Sequence, residues 1–296
     1  MKTNNFILKV NNLEQRFKKK RRTVFEKQEY IYPVNNISFN LINGETYGLV
    51  GESGSGKSTL VQAMMRILPP PALISGGKVL INNQDIMTAS PSDIIGFRWK
   101  QISIVMQSAL NALNPVLSIR EQINDVLDTH GGLNGEDANI RAEELMSLVD
   151  LDSQRLDSYP HQLSGGMKQR VVIAIALAIM PPIIIMDEPT TALDVIIERE
   201  IIRKIIELRK KLGFTILFIT HDLNLLLEFV DRLAIMKNGE IVELDDVANI
   251  KKGGKHAYTK RLINAIPSAS GQREQGLLSK PDSLNLSENP ILEVKN

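Results

Sequence analysis

The sequence contains no cysteine among its 296 residues, and that absence alone excludes several classes of site. Disulfide bonds, thiolate zinc sites, cysteine-ligated iron–sulfur clusters and cysteine nucleophiles all require this residue. An excess of charge of one sign is also lacking, because 35 Lys and Arg residues stand against 34 Asp and Glu residues. A chain with a formal charge of only +1 has no overall electrostatic footprint for nucleic acid, so we do not expect nucleic acid as a partner.

Long hydrophobic runs are missing as well. The longest uncharged apolar run, residues 171–186, is shorter than the roughly 20 residues that span a bilayer, and Pro181 and Pro182 divide it. We interpret it as the end of a buried helix, a break and a buried strand. The apolar stretch within the first ten residues is too short for a signal peptide. We therefore expect a soluble chain that reaches a membrane only through a partner.

What is present is a rhythm of strands and helices, which predicts an α/β fold. The patterns predict strands at 37–41, 46–50, 79–81, 102–106, 183–186 and 214–220, and helices at 57–68, 195–211 and 222–230. Gly76 and Gly77 are predicted to open the strand at 79–81, and Asn238-Gly239 predicts a hairpin turn. Residues 118–158 show only helical periodicity, with apolar faces predicted at Ile119, Ile123, Val126 and Leu127, and at Ile140, Leu145, Leu148 and Val149.

A phosphate-binding loop is the clearest motif. Residues 51–58 read GESGSGKS, which satisfies every required position of the pattern G-x-x-x-x-G-K-[ST] between a predicted strand and a predicted helix. Its glycines let backbone N–H groups surround the phosphates of a nucleotide, and the helix start adds its positive dipole end. We expect Lys57 to reach the β- and γ-phosphates and the Ser58 hydroxyl to bind Mg²⁺.

Two carboxylates follow the apolar strand at 183–186. Ligands collect at the carboxyl ends of such buried parallel strands, which places Asp187 and Glu188 near the phosphate loop. We expect Asp187 to hold Mg²⁺ and Glu188 to act as general base on an attacking water. A plain capping function in the next helix is the alternative. With the phosphate loop present, the pair predicts a nucleoside triphosphatase.

A third motif narrows the family. Residues 163–170 read LSGGMKQR and resemble the signature loop of ATP-binding cassette (ABC) proteins, in the place where that family has it. Gln107 resembles the family's Q-loop glutamine, Ala192-Leu193-Asp194 resembles the D-loop, and His221 resembles the switch histidine. Phe17 stands where the family places an aromatic residue against adenine, although Tyr30 or Tyr32 could serve.

The resemblance implies a P-loop NTPase with a RecA-like core, an antiparallel β subdomain and an all-helical subdomain. It implies an ABC domain over residues 5–267, with the helical part at about 116–162, and leaves the order of the tail at 268–296 open. Glu188, His221 and Lys57 would be catalytic. The implied ATP-binding residues are Phe17, Gly51, Glu52, Ser53, Gly54, Ser55, Gly56, Lys57, Ser58, Thr59, Gln107, Asp187, Glu188 and His221. The implied Mg²⁺ ligands are Ser58, Gln107 and Asp187. The implied signature residues, which would act on the partner's ATP, are Leu163, Ser164, Gly165, Gly166 and Met167. Asp194 would lie at the dimer seam.

The end of the motif-bearing chain resembles one branch of this family. Residues 256–267 read HAYTKRLINAIP and are similar to the C-terminal motif of oligopeptide, dipeptide and nickel importer ATPases. That resemblance implies ATP hydrolysis at the cytoplasmic face of the membrane, with two permease subunits, a paralogous cassette as dimer partner, and a solute-binding protein acting indirectly. Many members carry a cysteine cluster after this motif, which this chain lacks. An oligosaccharide importer and, from another class, a soluble ABC protein without a transport function are the alternatives.

Overall fold

The computed structural model describes residues 5–19, 27–107, 112–191 and 193–266. Residues 108–111 of the predicted Q-loop, Ala192, Pro267 and the predicted tail at 268–296 lie outside this range. Within it the strands are β1 (Phe6–Lys18), β2 (Tyr30–Ile42), β3 (Thr46–Val50), β4 (Leu73–Ile81), β5 (Gln84–Asp85), β6 (Ile102–Val105), β7 (Ile183–Asp187), β8 (Thr215–Thr220), β9 (Arg232–Lys237) and β10 (Glu240–Asp246). The α-helices are α1 (Lys57–Met64), α2 (Pro91–Phe97), α3 (Ile119–Val126), α4 (Gly135–Leu148), α5 (Gly165–Ala176), α6 (Val195–Leu212), α7 (Leu223–Phe229), α8 (Val247–Lys251) and α9 (Ala257–Asn264).

Two sheets organise the chain. The larger has the order β10-β9-β3-β8-β7-β6 and is parallel except for β10, which pairs antiparallel with β9 across the predicted Asn238-Gly239 turn. The smaller has the order β2-β1-β4-β5 and is antiparallel. The predicted α/β class with an antiparallel β subdomain is therefore confirmed.

The central strands are buried on both faces because layers cover the parallel sheet from each side. Along β7, Ile184 and Met186 belong to a hydrophobic cluster with α5 and α6, whereas Ile183 and Ile185 belong to a second cluster with α1 and the antiparallel sheet. Successive side chains of a strand point to opposite faces, so β7 needs apolar residues at every position. The continuous run Ile183-Ile184-Ile185-Met186 meets that need, and it brings Asp187 to the sheet edge.

The segment from 116 to 162 contains α3, α4 and short 3₁₀ and π turns, with no strand among its residues. Helix α3 starts in a capping box, in which the Ser118 side chain accepts from the Glu121 N–H and the Glu121 carboxylate accepts from the Ser118 N–H. The predicted apolar face of α4 was wrong in part. Ile140 is 51% exposed, and the buried face consists of Ala138, Ala142, Leu145 and Met146.

Two predicted boundaries were also wrong. Helix α1 ends at Met64, short of Leu68, because the chain turns at Arg66, where φ is +51°. Strand β4 begins at Leu73 and runs through Gly76 and Gly77, which were predicted to precede it. Gly77 has φ of +94°, and a Cβ there would lie 2.4 Å from the Cα of Leu13, so the glycine marks a bulge against β1.

One aromatic stack joins the turn before β6 to the helical segment. The ring of Trp99, the only tryptophan of the sequence, stacks on His130 with centroids 5.5 Å apart and 21° between planes. Trp99 also packs against the hydrophobic cluster that contains α3 and α4. Among the described residues, the helices are too short or too polar to cross a bilayer.

Candidate nucleotide site

The phosphate loop connects the buried strand β3 to helix α1, as predicted. It is held on two sides by backbone that leaves no room for side chains. A Cβ on Gly51 would lie 2.3 Å from the carbonyl oxygen of Met236, and one on Gly56 would lie 2.0 Å from that of Pro33. Gly56 also has φ of +106°. Both positions therefore require glycine, and the loop is fixed by its neighbours β2 and β9.

Hydrogen bonds complete this support. The N–H of Gly239, in the β9–β10 turn, donates to the Ser55 carbonyl at 2.9 Å, and the Ser55 N–H donates to the Glu52 carbonyl at 3.1 Å. Ser53 and Gly54 are exposed at the loop tip, while Thr59 is half-buried in the first turn of α1. The loop thus presents its tip to solvent from a rigid base.

Lys57 is folded back over the loop that precedes it. Its side chain is buried, and Nζ donates to the carbonyls of Gly51 at 2.7 Å and Glu52 at 3.1 Å. Burial lowers the pKa of Lys57, while the carboxylates of Glu188 and Asp187 act in the opposite direction. The ammonium group therefore lies inside the loop, close to the carboxylates of Asp187 and Glu188.

Asp187 is 2% exposed at the end of β7, and its Oδ1 has no hydrogen-bond partner. Burial raises the pKa of Asp187, whereas the neighbouring Ser58 hydroxyl and the charge of Lys57 lower it. An unsatisfied buried carboxylate oxygen beside a hydroxyl suits a hard cation that prefers oxygen ligands. These two residues fit Mg²⁺, which commonly takes few protein ligands and completes its shell with water and substrate phosphates.

Three donors converge on the carboxylate of Glu188. Gln107 Nε2 donates to Oε2 at 2.7 Å, and Thr191 Oγ1 donates to the same oxygen at 3.2 Å. His221 Nδ1 lies 3.3 Å from Oε1, and since a carboxylate only accepts, Nδ1 carries the proton in this contact. The structure thus brings the predicted residues Gln107, Glu188 and His221 together. Sequence analysis did not identify Thr191. Its position three residues after Glu188, in a turn, could have indicated that its hydroxyl reaches the carboxylate.

The backbone of Glu188 is unusual for a residue with a long side chain. Its φ is +48°, and its N–H donates to the carbonyl of Ile219 on β8 at 2.8 Å. The left-handed conformation turns the side chain away from the strand and toward Gln107 and His221. Backbone of this kind clusters at functional sites, where the surrounding structure holds it in place.

The signature loop forms the start of α5. Ser164 is its N-cap, with Oγ accepting from the Met167 N–H at 3.3 Å. A Cβ on Gly165 would lie 3.3 Å from Leu193, and one on Gly166 would lie 2.8 Å from Ile197, so the loop packs against the start of α6. In the part of the chain that the structure describes, no hydrogen bond or ion pair joins residues 163–167 to residues 51–59. Ser164, Gly165 and Gly166 therefore form a surface separate from the phosphate loop of the same chain, which we call the signature edge.

The remaining predicted residues take local positions. Asp194 caps α6, with Oδ1 accepting from the N–H groups of Ile196 and Ile197 at 3.1 and 3.0 Å. Phe17 is partly exposed on β1, opposite Ile31. The ring of Tyr30 is covered by the guanidinium of Arg16, 4.4 Å from its centroid. Stacking of Phe17 on adenine stays a prediction.

Comparisons with known proteins agree with this geometry. Residues 34–191 match the ABC transporter family. The chain is 40% identical over 254 residues to the oligopeptide transport ATP-binding protein OppD of Bacillus subtilis (strain 168), a match that covers 85% of this chain and 71% of that protein. It is 40% identical over 238 residues to the dipeptide transport ATP-binding protein DppD of Caldanaerobacter subterraneus subsp. tengcongensis, covering 80% and 73%.

A solved structure described as a dimeric post-hydrolysis state of an ATP-binding cassette, bound to ADP and Pi, superposes with a TM-score of 0.69 at 31% identity. The match covers 81% of this chain and 98% of that one. The resemblance predicted from the signature and C-terminal motifs is thereby confirmed. The chain belongs to the ABC transporter family, as one of its ATP-hydrolysing cassettes.

Proposed function

We propose that this chain is the ATP-hydrolysing motor subunit of an importer for peptides or related small solutes. Relatives at 40% identity bear the names of oligopeptide and dipeptide transport ATP-binding proteins, which supports that substrate class. In this proposal the chain lies at the cytoplasmic face of the membrane against two permease subunits. A solute-binding protein delivers the solute to those permeases and does not touch this chain.

The observation that carries the hydrolytic part is the convergence of Gln107, Thr191 and His221 on Glu188. These donors orient a carboxylate whose side chain is only 11% exposed. In the proposed reaction, Glu188 accepts a proton from the water that attacks the γ-phosphate, and ATP and water become ADP and phosphate. His221, with a side chain 63% exposed, is free to contact the γ-phosphate.

The phosphate loop is proposed to bind the nucleotide with residues 51–59. Its backbone N–H groups and Lys57 contact the phosphates. When nucleotide binds, phosphate oxygens replace the Gly51 and Glu52 carbonyls as acceptors for Lys57 Nζ, so the ammonium group keeps its hydrogen bonds. Ser58, Asp187 and Gln107 are the residues proposed to hold Mg²⁺. When bound, that ion would neutralise charge that develops on the phosphate oxygens.

The signature edge is proposed to act on the nucleotide of a partner cassette. Ser164 is exposed, and so are the apolar residues Val195 and Ile196 at the start of α6, at 66% and 73%. A helix N-terminus that begins with a serine cap and two glycines is a good anion site, and it makes no bond to the phosphate loop of its own chain. A head-to-tail pair, with Asp194 near the seam, would place each signature edge over the other subunit's nucleotide.

The expected partner is a paralogous cassette, so the test compares the purified chain alone with the complex that it forms with its partners. The purified chain should be monomeric without nucleotide and a weak ATPase, because each site lacks its second half. Co-expression with its permease and cassette partners should yield a complex that hydrolyses ATP faster, and transported peptide should raise that rate further. Vigorous hydrolysis by the chain alone would contradict the heterodimer and favour a homodimer. A complex that responds to sugars and ignores peptides would contradict the substrate class.

A further inference from the structure

The turn at residues 188–191 follows β7 and begins with the carboxylate that is proposed to activate water. Thr191, at its end, donates its hydroxyl to Glu188 Oε2 at 3.2 Å and its N–H to the Glu188 carbonyl at 3.3 Å. The place of Thr191 therefore helps to set the direction of the Glu188 carboxylate. What holds the turn itself is the residue before it, Thr190.

Thr190 is tied to the start of α6 by its side chain. It is buried, and its hydroxyl donates to Glu198 Oε1 at 2.5 Å. Its carbonyl accepts from the Leu193 N–H at 3.1 Å. Glu198 belongs to the first turn of α6, where its N–H donates to the Asp194 carbonyl at 2.9 Å. Thr190 is thus held at both its hydroxyl and its carbonyl.

Helix polarity alone does not account for the direction of the Glu198 side chain. A carboxylate in the first turn of a helix is favoured by the positive end of the helix dipole, and a side chain extended into water would satisfy that preference. Glu198 instead supplies the acceptor that the buried hydroxyl of Thr190 needs. Only Pro189, whose ring restricts its own φ, separates Thr190 from Glu188, so an anchor on Thr190 acts on the backbone next to the proposed base.

We propose that Glu198 is a positioning residue for hydrolysis: it holds the Thr190 hydroxyl, and the turn so fixed keeps Thr191 against the Glu188 carboxylate. The proposal rests on the function proposed above for Glu188. Glu198 acts only through Thr190 and does not touch the nucleotide. What it contributes is an acceptor oxygen, which a glutamine at this position would also supply.

The test measures kcat in the assembled complex and the Kd for Mg–ATP of the full chain. Glu198→Ala should lower kcat about three- to tenfold, which corresponds to one net hydrogen bond, and leave the Kd unchanged because the turn lies outside the phosphate loop. Glu198→Gln should keep kcat within about twofold of wild type, since its amide oxygen accepts the same bond. An unchanged kcat in Glu198→Ala, or an equal loss in Glu198→Gln, would overturn the proposal.

The matched control is Glu200→Ala. It removes a second carboxylate from the same helix, one that pairs with Arg170 at 3.6 Å, and it should change neither kcat nor Kd. A loss of kcat equal to that of Glu198→Ala would show a general effect of charge on α6 and would overturn the proposal.

A double variant separates positioning from stability. Glu198→Ala leaves the Thr190 hydroxyl buried without its acceptor, so the melting temperature should fall. Addition of Thr190→Val removes that hydroxyl. The melting temperature should then recover in part while kcat stays low, because the turn still lacks its bond to α6. A kcat that recovers together with the melting temperature would show that Glu198 serves stability alone.

The dependence on Glu188 is checked in the Glu188→Gln background. Glu198→Ala should cause no further loss of turnover there, because the carboxylate that the turn orients is already absent. A further loss as large as in the wild-type background would overturn the proposal. Turnover at the wild-type level in Glu188→Gln alone would instead refute the function assigned to Glu188, so the two failures are distinguishable.

Discussion

Replacing Glu188 by glutamine should stop hydrolysis while leaving nucleotide binding intact. The substitution keeps the size of the side chain and one carbonyl oxygen, but it removes the charge on which Gln107, Thr191 and His221 converge. General base catalysis contributes roughly 10²- to 10⁴-fold, so the barrier should rise by about 3–5 kcal/mol. Lys57 would lose one of its two nearby carboxylates, but its hydrogen bonds are made to the loop carbonyls and not to Glu188, so its ammonium group stays available to the phosphates.

The assay compares turnover and Mg–ATP binding in the assembled complex with those of a control variant. Glu200→Gln removes a carboxylate from α6 that pairs with Arg170 at 3.6 Å, and it should change neither quantity. When the Glu188→Gln cassette is mixed with its partner cassette in the absence of the permeases, ATP should accumulate unhydrolysed in a closed cassette dimer, visible as a larger species by size-exclusion chromatography. Turnover that stays within about threefold of wild type would show that a different group activates the water.

Two further predictions concern the residues next to Glu188. Lys57→Ala should weaken Mg–ATP binding by about tenfold or more in a titration, since it removes a charge-assisted contact. The control Lys204→Ala, which breaks an ion pair with Asp150, should leave this binding unchanged. Near-native affinity in Lys57→Ala would contradict the phosphate-loop assignment. Burial raises the pKa of Asp187 above its ordinary value of 3.8, so the folded chain binds this proton more tightly than the unfolded chain does. The resulting stabilisation of the fold is present below pH 3.8 and is lost as the pH rises through the pKa of the folded state. Asp187→Asn should therefore raise the melting temperature of the nucleotide-free chain near pH 7 and lose that advantage as pH falls toward 3.8; an advantage independent of pH would refute the reasoning.

The nucleotide site was predictable in its parts because those parts follow one another in sequence. The strand, loop and helix around Lys57 and the strand before Asp187 carry local patterns with a direct structural meaning. What joins them is not local. The contact of Gln107 with Glu188 spans 81 residues and was not predicted, although family resemblance had assigned Gln107 to the site. The left-handed backbone of Glu188 had no signal, because residues of this type rarely adopt it.

The errors in the fold have similar causes. The buried face of α4 was misplaced because alanines at 138 and 142 occupy a tightly packed side, while the larger Ile140 is left in solvent. Gly77 was interpreted as a strand opener because glycine marks turns and bulges alike. Only the close approach of Leu13 on β1 distinguishes the two. In each case the deciding contact lies on a different element.

The stack of Trp99 on His130 gives the molecule a built-in optical probe. Trp99 belongs to the turn that precedes β6, His130 belongs to the helical segment, and no second indole contributes to the emission. An imidazole in face-to-face contact alters the fluorescence of an indole, so separation or rotation of the two rings changes the signal without any label. Movement of the helical segment relative to the core during the ATP cycle can therefore be timed by stopped-flow fluorescence on the unmodified chain.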